Sequence, residues 1–320
     1  MRDIAILLNP SAGRGRAGKK QGHLENMLKR YGIIQALHYK LFVSQSEDHL
    51  RNLAIQTPRD YPIIIGAGGD GTFNIIVNEL MKLGSENIFG MISLGSQNDI
   101  AKEFGVESLE KACLAIKNSK NSRARQVDIG VVIADNLYPY YFLGTASLVL
   151  GTTVNKYMEN ISKRHPVLFK FGLIQAIFGI LGIHNSFSTK EVPIQLKLKY
   201  QNRSFQDNFS LVVFNNISFY AGGKRLDLDA TPYDGQLNCC YITSKSFSRF
   251  VKVYSLYRKG KHIYEKDVKL LKAPEFKITS ENGVEIQTDG IVSGPYKDIT
   301  ISVKPKALRV IVHPSYVGSR

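Results

Sequence analysis

Apolar and polar positions along the first third of the chain alternate between two periods. The runs "DIAILLN", "YPIIIGAG" and "IFGMISLG" read as short buried strands, and "QALHYKLFV" alternates at period two. Segments with apolar residues at helical spacing lie between and after them. "GKKQGHLENMLKRYG" carries Leu24, Met27 and Leu28 and stops at Gly32. "SEDHLRNLAIQ" opens on a Ser–Glu–Asp cluster suited to a helix N-terminus, and "NIIVNELMKLG" and "SLEKACLAIKNSK" follow the same period. This alternation predicts a doubly wound α/β unit, a parallel sheet with helices on both faces.

From about Val127 the pattern changes. Strand-like runs follow one another with turn signals between them: "QVDIGVVIA", "YPYYFLGTASLVL", "PIQLKLKYQNRSFQ", "FSLVVFNN", "GQLNCCYIT", "EFKITS", "VEIQTDG", "DITISVKP" and "ALRVIVHP". They predict a mostly antiparallel, β-rich second unit, interrupted by helical segments near 154–183 and 246–259. The boundary falls near Arg125.

Composition narrows the picture a little. Three cysteines are too few for a disulfide scaffold, and Cys239 and Cys240 sit in a strand-like run without metal-ligand spacing. The first apolar run is too short for a signal peptide and reads as a strand. A net charge of +15 favours anionic partners: nucleotides, nucleic acid or an acidic membrane surface. No nucleic-acid motif accompanies it, so no nucleic-acid partner is expected. The apolar stretch Val167–Ile183 contains Lys170 and is near the lower length for a membrane span. It reads as a buried helix or as the lining of an apolar pocket.

Three stretches carry candidate chemistry. "NPSAGRGRAGKK" after the first strand offers Asn9 and Ser11 as hydrogen-bonding groups, three glycines, and Arg14, Arg16, Lys19 and Lys20 as charge near a helix start. It lacks the GK[ST] ending of a Walker loop. "GAGGDGTFN" places four glycines, Asp70, Thr72 and Asn74 between a strand and a helix. Its backbone amides can turn toward phosphate while Asp70 orients a metal-bound or hydroxyl-bearing group. "SLGSQNDIAKEFG" repeats the arrangement with Ser96, Asn98 and Asp99. Neighbouring strands would bring both acidic loops to the carboxyl edge of the sheet, where open α/β folds bind ligands.

In this order the stretches resemble the diacylglycerol kinase catalytic-domain family, which includes bacterial diacylglycerol kinases and sphingosine kinases. "GGDGTFNIIVNEL" resembles its GGDGTxNEVxNGL signature, "GSQNDIAKEFG" its GTxNDFAR signature, and "DGQLN" its DGxLD ending. The resemblance covers nearly the whole chain. It implies a nucleotide-binding α/β domain over 1–125 and a β-rich, sandwich-like lipid-binding domain over 126–306. Residues 307–320 would return to the first domain. It implies transfer of phosphate from ATP, with Mg²⁺, to a hydroxyl of a membrane lipid such as diacylglycerol. The chain would be cytoplasmic and peripherally attached to an anionic membrane surface; a homodimer stays open. By position, Asn9, Ser11, Ser44, Gly68, Gly69, Asp70, Gly71, Thr72, Asn74 and Ser96 would surround ATP. Asp234 would hold magnesium with the carbonyls of Thr231 and Leu237, linked through water to Asp70 and Asp99.

The chain departs from the pattern at the acceptor side. Where the family reads DGE, with the glutamate as general base, this chain reads Asp289-Gly290-Ile291. Ile75 and Ile76 replace a usual Glu-Val, Asn238 a usual Asp, and Gly144 a usual Asn. Three readings stay open: a lipid kinase with a displaced base, Asp289 or Glu285; a nucleotide- or lipid-binding pseudokinase; or another small-molecule kinase.

Overall fold

Four parallel strands open the chain: β1 (Ile4–Leu8), β2 (Tyr39–Val43), β3 (Ile63–Gly68) and β4 (Ile88–Ser93), in the order β2–β1–β3–β4. The computed structural model describes residues 4–13, 15–33, 38–95, 97–118, 124–164 and 172–316. Helices α1 (Arg16–Lys19), α2 (Gln21–Arg30), α3 (Glu47–Gln56), α4 (Asp70–Lys82), α5 (Asp99–Glu103) and α6 (Leu109–Lys117) connect or follow the strands. Local chemistry sets their starts. Ser46 and Ser108 accept hydrogen bonds from the His49 and Lys111 amides and so cap α3 and α6.

The remainder is antiparallel. It comprises β5 (Ala124–Ala134), β6 (Tyr140–Phe142), β7 (Thr145–Val149), α7 (Leu150–Arg164), α8 (Gly172–Ser188), β8 (Ile194–Tyr200) and β9 (Arg203–Phe209). Then come β10 (Leu211–Asn215), β11 (Phe219–Tyr220), β12 (Lys224–Arg225), β13 (Leu237–Ile242), α9 (Phe247–Tyr257), β14 (Val268–Ala273), β15 (Glu275–Thr288) and β16 (Ile291–Ile311).

One sheet runs through both parts in the order β14–β13–β10–β7–β15–β16–β4–β3–β1–β2. Strand β16 joins them. Its first residues pair with β15, and its last lie parallel to β4, Arg309 facing Ile88 and Val310 facing Phe89. Two hydrophobic clusters flank this seam, one around β1–β4 and one around β7, β10, β13 and β15.

Four strand expectations change. "PIQLKLKYQNRSFQ" is a hairpin, β8 and β9, turning at Gln201-Asn202. "EFKITS" and "VEIQTDG" are one strand, β15, and "DITISVKP" and "ALRVIVHP" belong to one strand, β16. Irregular pairing after Thr279 and after Lys304 lets each continue past the Asn282-Gly283 and Pro305 signals that read as breaks. "YPYYFLGTASLVL" instead divides into β6 and β7, and its Leu150 starts α7. The division falls where the Leu143 and Gly144 amides donate to the Asp289 carboxylate. No described helix is long and apolar enough to cross a membrane.

Candidate functional site

The loops after β1, β3 and β4 meet at the carboxyl edge of the parallel strands. Backbone bonds tie them: the Asn9 amide donates to Ala67 O, and the Leu94 and Gly95 amides donate to Gly68 O. The approach is too close for side chains. A Cβ on Gly95 would stand 2.6 Å from Gly69 Cα, and one on Gly13 would stand 2.7 Å from Leu94 O. Ser44, buried at the end of β2, donates its amide to Leu8 O and closes the same edge.

Helix α4 starts inside this ring. Its N-cap is Gly69, no side chain caps it, and Gly71 opens onto free space. Its leading amides and positive dipole end therefore face the glycine ring, an arrangement suited to an anion. The Asn9 side-chain amide donates to Thr72 Oγ1 at 3.0 Å, and Asn9 Oδ1 accepts the Ser11 amide at 3.1 Å. Asn9, Ser11, Ser44, Gly68, Gly69, Asp70, Gly71 and Thr72 thus lie together. Ser96 and Arg14 lie outside the described residues.

Two carboxylates stand beside this cradle. Asp70 Oδ2 accepts the Asp99 amide at 3.1 Å and Oδ1 accepts the Ile100 amide at 3.3 Å, so Asp70 caps α5. Burial first, and then the charge of Asp99, push the Asp70 carboxyl up to about 7. Asp99 is held by Lys102 Nζ at 3.3 Å and accepts the Gly222 amide at 2.9 Å. Lys102 had no place in the sequence reading; its signal was the i, i+3 spacing from Asp99.

Asn74 does not join the ring. It is fully buried. Its amide donates to Tyr141 O and to Asp289 Oδ2, and its Oδ1 accepts from Tyr140 Oη and the Asn78 amide. It lies one turn into α4, on the side facing β6, and its hydrogen bonds join the two parts of the fold.

Asp289 and Gly290 form a two-residue hairpin turn between β15 and β16, with φ of 46° and 97°. Asp289 is buried and accepts four N–H bonds, from Leu143, Gly144, Thr145 and the Asn74 side chain. A carboxylate offers about four lone-pair sites. Burial raises its pKa to about 6, against the pull of those donors. With four donors on its two oxygens, Asp289 organises the start of β7, and taking a substrate proton would cost it one of those bonds. Glu285, the other candidate base, is paired to Lys156 of α7 at 2.7 Å. Ile291 is half-buried against the first hydrophobic cluster.

Two departures from the family pattern have physical causes. A Cβ on Gly144 would stand 2.6 Å from Asp289 Oδ1 and 3.0 Å from Ile100 Cγ1, so an Asn has no room. The Asn238 amide donates to Asp227 Oδ2 at 2.9 Å, where an Asp would face a second buried carboxylate.

At Asp234, where the resemblance implies magnesium, the structure places a lysine. Asp234 Oδ2 is paired to Lys272 Nζ at 2.7 Å, and Oδ1 accepts the Gln236 amide. Leu237 opens β13, buried and opposite Ala273 in the ladder. Thr231 Oγ1 is buried without a partner. The Lys272 ammonium would therefore compete with a metal ion for the Asp234 carboxylate. Lys272 carries no sequence signal for this role.

Glycine loops at the carboxyl edge of an α/β sheet, joined through one sheet to an antiparallel β unit, define a two-part fold with an anion-suited edge. Residues 3–132 match the diacylglycerol kinase catalytic domain, and residues 165–312 match the YegS C-terminal NAD kinase beta sandwich-like domain. The first unit therefore carries a diacylglycerol kinase catalytic domain, and the two matches together make the chain similar to that family over most of its length. It is 25% identical over 299 residues to a diacylglycerol kinase of Bacillus subtilis (strain 168), covering 92% of this chain and 91% of the relative. It is 24% identical over 316 residues to one from Mycobacterium tuberculosis (strain CDC 1551 / Oshkosh), covering 96% and 94%. A solved diacylglycerol kinase structure from Bacillus anthracis str. Sterne shares the fold with a TM-score of 0.70 at 20% identity, over 99% of this chain and 98% of that one.

Proposed function

We propose that the protein transfers the γ-phosphate of MgATP to a hydroxyl of a membrane lipid such as diacylglycerol, acting from an anionic membrane surface. The observation that carries the reading is the uncapped start of α4 inside three interlocked glycine loops, with Asp70 and Asp99 beside it. The relatives named diacylglycerol kinase supply the acceptor class. Magnesium enters with the nucleotide as part of the substrate. No step is assigned to a resident ion at Asp234.

Phosphoryl transfer through a loose transition state is mainly positioning and charge neutralisation. The amides of Gly69, Asp70 and Gly71 would hold phosphate oxygens, and Asn9 and Thr72 keep the loops in register. Ile291 cannot take a proton, Asp289 would lose one of its four hydrogen bonds by doing so, and Glu285 is paired. Asp70 remains, with a proton affinity poised near neutrality, and each of its oxygens keeps a lone pair beyond its one amide bond. General-base assistance contributes about 10²–10⁴-fold, so the assignment of Asp70 is testable against binding.

A second reading rests on Ile291 alone: nucleotide and lipid are bound but phosphate is not transferred. An assay of γ-³²P transfer to a lipid panel, with wild type, Asp70→Asn and Ile291→Glu, separates the two. Label in a lipid product that falls at least about 100-fold in Asp70→Asn supports the kinase. Tight MgATP binding with no labelled lipid supports the second reading.

A further inference from the structure

Beside the Asp70–Asp99 pair the surface carries an unneutralised basic rim. It starts at the β11–β12 hairpin, which packs on α5. The hairpin turn reaches the site directly, because the Gly222 amide donates to Asp99 Oδ2. Beyond the turn, Lys224 and Arg225 are exposed, with Arg225 lying 5.3 Å from the Phe219 ring.

The C-terminal end of α9 is fastened to the same hairpin. Tyr257 Oη donates to Lys224 O at 3.1 Å and also bonds Tyr220 O. Just beyond, His262 Nε2 donates to Leu226 O at 2.8 Å. These bonds bring exposed Arg258, Lys259 and Lys261 alongside Lys224 and Arg225. None of the five cations has an ion-pair partner among the described residues. The neighbouring Glu265 and Asp267 are taken by Arg249 and Lys252. Asp227 is buried on Asn238, which leaves Asp229 as the exposed acid in this patch.

Helix-dipole complementarity explains a cation or two at the end of α9. It does not explain the hairpin cations or Lys261, which lie outside the helix. Nor does it explain the two large side chains beside them: Tyr264 is 83% exposed and Leu228 is 59% exposed. Cations flanking an exposed aromatic and an exposed aliphatic side chain are the composition that seats at the headgroup boundary of an anionic bilayer. Nucleic-acid phosphates would use the cations and leave Leu228 without a partner.

We infer that this rim, the β11–β12 hairpin with the end of α9 and the turn to Tyr264, docks the protein on an anionic phospholipid bilayer. The assignment deepens, and rests on, the lipid acceptor proposed above. Docking there places the bilayer surface next to Gly222 and hence next to Asp99. The hairpin is both the membrane contact and a wall of the site.

The chain has no tryptophan, so Tyr264→Trp installs a single reporter at the rim. Its emission is expected to shift to the blue on phosphatidylglycerol-containing vesicles and to stay unchanged on pure phosphatidylcholine. In flotation, the triple variant Arg258→Gln, Lys259→Gln, Lys261→Gln is expected to lose about 100-fold in affinity for the anionic vesicles, at roughly fivefold per cation. A charge-matched control, Lys29→Gln, Arg30→Gln, Arg59→Gln on the first unit, is expected to lose less than about tenfold, because these cations lie off the docking face. No Trp shift, equal losses in the two triple variants, or rim-dependent binding to a single-stranded oligonucleotide without vesicle binding would each overturn the assignment. Flotation needs no turnover. A chain that floats through the rim but phosphorylates no lipid sinks the kinase reading alone, and an active chain indifferent to the rim sinks this inference alone.

Discussion

The Asp70 carboxylate caps α5 through two N–H groups, yet it holds its proton up to about pH 7 because burial and the charge of Asp99 outweigh those donors. An unfolded Asp releases its proton near 4. Between these values the folded chain binds a proton that the unfolded chain has lost, so stability falls as pH rises through that window. Asp289, raised to about 6, adds the same sign over a narrower range. Asp70→Asn removes the wider contribution. Urea titrations at pH 5 and pH 8 are expected to show a smaller loss of stability in the variant than in wild type, and equal losses would refute the shifted proton. Asp289→Asn tests the other carboxylate. Its amide would turn an NH₂ toward backbone donors that now bond a carboxylate, at a cost of about 2–4 kcal/mol. A urea midpoint change worth under about 1 kcal/mol would remove the organising role assigned to Asp289.

At the scale of elements, the first unit was legible because its signals are local. Apolar runs and helical spacing mark β1, β3, β4 and α2, and Ser46 and Ser108 mark helix starts. The loops after β1, β3 and β4 were legible from their glycines because close backbone approach excludes side chains. What escaped depends on distant partners. The role of Asn74 is set by Asp289, 215 residues away, and nothing near Asn74 in sequence announces it. The pairing of Asp234 with Lys272 escaped for the same reason: β14 delivers the lysine across from the start of β13. That pair yields its own prediction. Thermal unfolding of the nucleotide-free protein is expected to move by less than about 1 °C between excess Mg²⁺ and chelator, since no ion bound only by the folded state is lost. Lys272→Met leaves Asp234 unpaired and is expected to make the melting temperature rise with Mg²⁺. A wild-type protein that melts several degrees lower in chelator would restore the ion and contradict the pairing.

A continuous sheet runs through the molecule, and its seam, β16, starts at the Asp289-Gly290 turn and pairs with β4 of the first unit near its other end. Asp289 and Asn74 clamp that seam, the glycine ring lies on one side of it, and the β11–β12 hairpin closes over Asp99. The glycine ring stands while Ile291 occupies the place of the family's glutamate, so the central claim of the proposed function is that transfer survives with Asp70 as proton acceptor. The most direct measurement is the rate of γ-³²P transfer from MgATP to diacylglycerol in anionic vesicles across pH 5.5 to 8.5. The account predicts a labelled lipid product, a rate that climbs through about pH 7 as Asp70 loses its proton, and loss of that climb together with at least about 100-fold of the rate in Asp70→Asn. A rate flat across pH 7, or one that Asp70→Asn leaves intact, would contradict it.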